Sequence, residues 1–196
     1  MADVDAAPRH RRQGSRRDPA IDEAVLATTR TLLIERGYAA TTIDLIAATA
    51  GVSRPAIYRR WTSKAQLVHE AAFPDLGPEA PENDFAAEVT RLCRGAIRMY
   101  GDPVVREAIP GVLVDLRSDR RMRRLLSDRL EAAARSQLAE RLDAAVDEGT
   151  ARAVDADTLM DVIAGGAWYA VCVRRVKDTD RAGRDLAELV LRGVLR

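Results

Sequence analysis

The residues best equipped for chemistry stand together in Ser53–Lys64, SRPAIYRRWTSK. If this stretch is helical, Arg54 and Tyr58 share one face and Pro55 and Arg59 the next, because positions four apart are neighbours on a helix. Ile57 and Trp61, also four apart, then face inward. Two guanidinium groups, a phenol and a proline are left on the outer surface. Guanidinium groups pair bidentately with guanine, and hydroxyl and N–H groups hold phosphates, so the chemistry suits a DNA groove. Lys64 falls in the first turn of the next helix, where a cation opposes the helix dipole. There it can join the free N–H groups in receiving a phosphate. Enzymatic chemistry finds no comparable set. The histidines are His10 and His69, and Cys93 and Cys172 lie far apart. Neither a nucleophile–base pair nor a metal-ligand spacing is present, so no catalytic residue, metal site or cofactor is expected.

These side chains need a rigid mount, and the flanking residues supply one. Asp18-Pro19 opens a first helix with Ile21, Val25, Thr28 and Leu32 inward, and Gly37 ends it. Thr41 and Asp44 have capping-box spacing for a second helix, with Ile43, Ile46 and Ala47 as its apolar face. Gly51 supplies the left-handed stop and Val52 plugs the turn. Ser53 caps the third helix, about seven residues and about 10 Å long. Ser63 and Gln66 box the start of a fourth. The proline-rich, acidic stretch PDLGPEAPEND is a loop. Asp84 then caps a long helix that Gly101-Asp102-Pro103 breaks. Val104–Leu116 is expected to be bent or broken at Pro110-Gly111. A helix from Ser118-Asp119 runs to Gly149, its charged outer face read as solvated. Asp155 caps a helix reaching about Val176, apolar on more than one side, in which Gly165-Gly166 points to close approach of another helix. The last helix spans about Arg181–Leu195.

The expected fold is therefore all-α, with about nine helices. Its units are a basic disordered arm (1–17), a helix-turn-helix head suited to DNA (18–73), a loop (74–84) and a helical body (85–196). Composition agrees: 47% hydrophobic and 31% charged residues, enriched in helix formers. The net charge of +1 is uneven. Residues 1–72 carry 11 Lys/Arg against 8 Asp/Glu, the remainder 20 against 22. A basic front and acidic back fit a chain that meets nucleic acid only at its front. No apolar run nears the ~20 residues of a membrane span, and the arginine-rich start has no apolar stretch behind it. With two isolated cysteines, the expectation is a cytoplasmic protein with no membrane role.

Gly37-Tyr38, Thr41-Thr42, Ile46-Ala47, Ala50-Gly51-Val52-Ser53, Ile57-Tyr58, Trp61 and Ser63-Lys64 with Leu67 resemble the DNA-binding domain of TetR-family transcriptional regulators. Trp61 stands where the family most often has phenylalanine. The resemblance implies an all-helical homodimer that binds double-stranded DNA at a palindromic operator. It carries groove contacts onto Arg54, Pro55, Tyr58 and Arg59, and phosphate contacts onto Thr42, Ser53, Tyr58 and Lys64. It also implies a four-helix dimer interface from the last two helices, to which Gly165, Gly166, Leu186, Leu189 and Val190 are assigned. A cavity among helices four to eight is the ligand site it implies. Met99, Tyr100, Ile109, Val112, Leu113, Leu130, Ala134 and Trp168 are its candidate walls, which suit a hydrophobic effector. The expected function is a homodimeric repressor released from its operator by a small effector. The alternative is a DNA-binding regulator without a small ligand, controlled by a partner protein or by abundance.

Overall fold

The computed structural model describes residues 18–73, 82–117 and 132–196. The arm at 1–17, most of the 74–84 loop, and the expected helix start at Ser118-Asp119 with Leu130 lie outside them. Among the described residues there are nine α-helices: α1 (Pro19–Ala40), α2 (Ile43–Ala50), α3 (Arg54–Tyr58), α4 (Lys64–Ala72), α5 (Phe85–Gly101), α6 (Pro103–Leu116), α7 (Ala132–Asp147), α8 (Ala156–Trp168) and α9 (Thr179–Val194). A π-helical turn, Tyr169–Val173, prolongs α8.

Caps set most helix starts. Asp18, Ser53, Ser63, Asp84 and Asp155 each accept a backbone N–H from the first turn of their helix, which offsets part of the unpaired amides there. Gly37, Gly51 and Gly149 all take positive φ, Gly37 at a kink inside α1 and the other two just past helix ends. One expected cap is displaced. Thr41 is buried and its hydroxyl donates to the Gly37 carbonyl, so it closes α1. Thr42 caps α2 instead, accepting from Leu45 N at 3.2 Å. In α4 the box reaches back one residue further than expected, with Gln66 Oε1 accepting from Thr62 N at 2.7 Å.

Four buried clusters organise the described residues, the smallest being Ile97, Ala167 and Val171. Val25, Leu32, Ile43, Ile46, Ile57 and Trp61 hold α1 to α3 together as a head. Leu33, Val68, Ala72, Val105, Ile109 and Val112 join α1 and α4 to α6. Phe85, Val89, Cys93, Leu138, Leu142, Ile163 and Val190 form the body of α5, α7, α8 and α9. Burial pushes the Cys93 thiol up to about 12, which marks it as packing rather than reactive. Fully buried Glu88 is also structural. Burial raises its pKa, but hydrogen bonds from Arg91 and the Glu82 N–H, with the charges of Arg91 and Arg141, bring it below the usual value.

One expectation is narrowed here, that α6 is bent or broken. Pro110 does not break α6, which is helical from Pro103 to Leu116. Pro110 is exposed, so water can satisfy the carbonyl that loses its N–H partner. Ala156–Val173 has a mean hydropathy of 1.2 over 18 residues, but Asp157 and Asp161 interrupt it, so it is no unbroken apolar run of ~20 residues. Here it is a packing helix, with Leu159, Met160, Ile163, Ala167 and Val171 buried.

Candidate nucleic-acid interface

Two turns position the head's outer surface. Gly51, at φ 67° and ψ 28°, reverses the chain after α2, and Val52 N returns to the Ala47 carbonyl at 3.0 Å. Ser53 then caps α3, accepting from Ala56 N at 3.3 Å. The helix that follows has five residues rather than seven, or about 7.5 Å of axis. It ends early because the chain turns through Arg59 and Arg60 to bury Trp61. Ile57 and Trp61 are both 0% exposed, and the Trp61 indole N–H donates to Glu70 Oε2 at 2.9 Å. This anchors α3 to α4.

With the inner side fixed, Thr42, Ser53, Arg54, Pro55, Tyr58 and Arg59 are all exposed. The structure thus brings the sequence-derived contact set onto the outside of one helix and the caps around it. Arg60, third of the local arginines, is turned away. It pairs with Asp22 on α1 and donates to the Ala56 carbonyl. Asp44, from the first turn of α2, forms an ion pair with Arg54 (Nε–Oδ1 2.8 Å). Ten residues separate that pair, beyond the reach of any helical periodicity.

Lys64 departs from expectation. Its ammonium donates to the Tyr38 carbonyl at 2.5 Å and lies 3.9 Å from the centroid of the Tyr38 ring. Burial lowers its pKa, opposed by the charge of Asp115. In this structure the cation closes α1's end against the Tyr38 carbonyl, which also accepts the Thr41 N–H, and against the Tyr38 ring face, so a phosphate would have to draw it away. Tyr38 was not singled out by type or spacing. Its hydroxyl donates to Asp115 on α6, and burial, then that bond and charge, push its ionisation well above the usual phenol range.

Residues 25–71 match the family of bacterial regulatory proteins described as the tetR family, and residues 80–190 match the tetracyclin repressor-like C-terminal domain. The chain belongs to the TetR family. It is a DNA-binding transcriptional regulator and not an enzyme. The uncharacterized HTH-type transcriptional regulator YdeS of Bacillus subtilis (strain 168) is 28% identical over 195 residues, covering 93% of this chain and 94% of that protein. An uncharacterized HTH-type transcriptional regulator of Mycobacterium tuberculosis (strain ATCC 25618 / H37Rv) is 32% identical over 149 residues, 72% of this chain and 71% of that one. Among solved structures, a TetR regulator from Agrobacterium tumefaciens superposes with a TM-score of 0.64 at 18% identity, covering 90% and 95% of the two chains. A transcriptional regulator from Saccharomonospora viridis in complex with choline gives the same TM-score and identity, covering 91% of this chain and 100% of that one.

The body of this TetR-family chain sorts the remaining candidates. Met99, Tyr100, Ile109, Val112 and Trp168 meet in one cluster beneath α6, beside Tyr38 and Phe73. Leu113, 53% exposed, flanks the buried stripe of α6 toward solvent. Ala134 packs against the cluster of α5, α7, α8 and α9. Gly165 and Leu189 are exposed, as an interface needs. Val190, 5% exposed, is core and holds α9 to its own protomer. Gly166 is likewise used internally: a Cβ there would lie 2.9 Å from Leu186 Cδ1.

Proposed function

We propose that this regulator is a homodimeric repressor, released from a palindromic operator by a small hydrophobic effector bound beneath α6. The observation that carries the effector is Trp168. Its indole N–H is buried among apolar side chains and has no hydrogen-bond partner among the described residues. An unmade hydrogen bond of that kind costs roughly 1–3 kcal/mol, and an effector with one acceptor would recover it. The same cluster includes Tyr38, which α6 holds through Asp115. A ligand that displaced α6 would therefore change how the DNA head is seated, and it acts only if it binds one head position better than the other. Such a regulator acts in the cytoplasm, where its operator is.

Two further observations support the dimer. Val162, Tyr169 and Val173 on the α8 side and Leu189 on α9 are exposed apolar residues. Tyr169, Leu186 and Leu189 also line a groove between the two helices. A second copy related by a two-fold axis would cover them and set two heads for half-sites about 34–36 Å apart.

The effector is tested by a thermal-shift screen of apolar compounds bearing one acceptor. Choline belongs in the panel because the Saccharomonospora viridis neighbour holds it and because aromatic faces such as Tyr100 and Trp168 attract quaternary ammonium groups. A compound that raises Tm should release a fluorescent operator. Trp168→Phe, which removes only the donor and trims the ring, should weaken that compound about 2–10-fold. A stabilising compound that leaves operator affinity unchanged would overturn the effector reading and favour control by a partner protein or by abundance.

A further inference from the structure

The Asp44–Arg54 pair is out of place on a surface that meets DNA. A carboxylate there faces a polyanion, and every phosphate nearby repels it. The pair is also not a stability device, since its side chains are 57% (Arg54) and 66% (Asp44) exposed and solvent-exposed pairs contribute little. Nor is Asp44 the cap of its helix, because Thr42 fills that role. What the carboxylate does is stand against the stem side of the guanidinium. Its Oδ1 makes its closest approach at Arg54 Nε, 2.8 Å away.

Guanine offers two acceptors, O6 and N7, on its major-groove edge, and a guanidinium matches them with two parallel donors. A free arginine can turn either edge to them or drop onto a phosphate, and the phosphate contact carries no sequence information. A carboxylate beside Nε competes with a base for that side of the guanidinium and so favours presentation of the terminal pair. We propose that Asp44 is a positioning residue for sequence recognition, orienting Arg54 so that its terminal nitrogens read guanine rather than phosphate. This rests on the reading of Arg54 as a groove residue. Asp44 itself touches no base. It raises discrimination while lowering non-specific affinity, because it cancels one positive charge on the binding surface.

The experiment selects binding sites from a randomised DNA pool with the full chain, then measures affinities for the selected operator, for its single-base variants and for unrelated DNA. Asp44→Asn, Asp44→Ala, Arg54→Ala and the double variant Asp44→Ala/Arg54→Ala are compared, with thermal melts as a folding control. Arg54→Ala should lose the preference for guanine at one position in each half-site. Asp44→Ala should lower that same preference by about tenfold, within the range of one bidentate contact, while binding unrelated DNA more tightly. Asp44→Asn should fall between. In the double variant the Asp44 change should add nothing to the loss of guanine preference, since it acts through Arg54. A preference lost additively, or lost at a different base pair, would show Asp44 reading a base directly and overturn the proposal. Retained preference in Asp44→Ala, with Arg54→Ala defective, overturns it as well. If Arg54→Ala keeps full sequence preference, the groove assignment of Arg54 fails first, and the positioning role fails with it.

Discussion

Lys64 touches Tyr38 twice, at its carbonyl oxygen 2.5 Å away and over its ring at 3.9 Å, and a phosphate would have to replace both contacts. A phosphate contact adds about 0.9 to the slope of log affinity against log salt. A lysine that stays on Tyr38 adds nothing. The geometry favours the second case, because the ammonium is half-buried and its pKa is lowered by that burial. Lys64→Ala is therefore expected to leave the salt slope of operator binding unchanged within about 0.3. It should lower thermal stability, because a cation–π contact contributes about 0.5–2 kcal/mol. For a chain of this size that is a fall in Tm of about 1–8 °C. Fluorescence anisotropy across a salt series and a thermal melt check both. A slope that drops by about one would show that DNA draws Lys64 away from α1.

At the scale of elements, α6 approaches the head through Gly111, where there is no side chain to keep the Tyr38 ring at a distance. A Cβ on Gly111 would lie 2.0 Å from Tyr38 Cδ1 and 2.1 Å from Cγ, far inside contact distance, so the ring or the helix must move. Gly111→Ala should cost about 1–3 kcal/mol and weaken operator binding by shifting the head. Gly95→Ala is the control, since nothing lies within 4 Å of its added methyl and a helix prefers alanine. Equal Tm values for the two variants would refute a tight seat. This junction could not be read from the sequence, because Tyr38 and Asp115 are 77 residues apart and no local rule pairs them. What was readable was local chemistry. Asp84 and Asp155 capped where a cap was expected, and Ile57 and Trp61 turned inward on four-residue spacing. Leu113, Ala134 and Val190 show what local rules leave open, because only tertiary packing decides which neighbour each side of a helix meets. Thr41 and Thr42 are both able caps, and burial of Thr41 made the choice.

For the whole molecule, the proposed dimer would read a two-fold operator by joining its copies on the face that α8 and α9 leave uncovered. Val162, Tyr169, Val173 and Leu189 would be removed from water together if two chains met there, and a stable interface buries about 1,200–2,000 Å² in total. Leu189 is the best probe because it is 71% exposed. Changing it costs the single chain little, whereas Val190 beside it is core and would unfold the protomer if charged. In a two-fold dimer, Leu189→Asp places a carboxylate in an apolar contact once from each side. Sedimentation should then give a species near 21.5 kDa where the wild type gives twice that mass, with the helical circular dichroism retained. Operator affinity should fall by about 10²–10⁴, because the second head no longer binds at the effective concentration set by the first. Binding to an isolated half-site should be unchanged. A wild type that sediments as a monomer at micromolar concentration sinks the dimer outright. If Leu189→Asp still dimerises and still binds the full operator, the two copies meet on another face, and the apolar strip on α8 and α9 needs a different occupant.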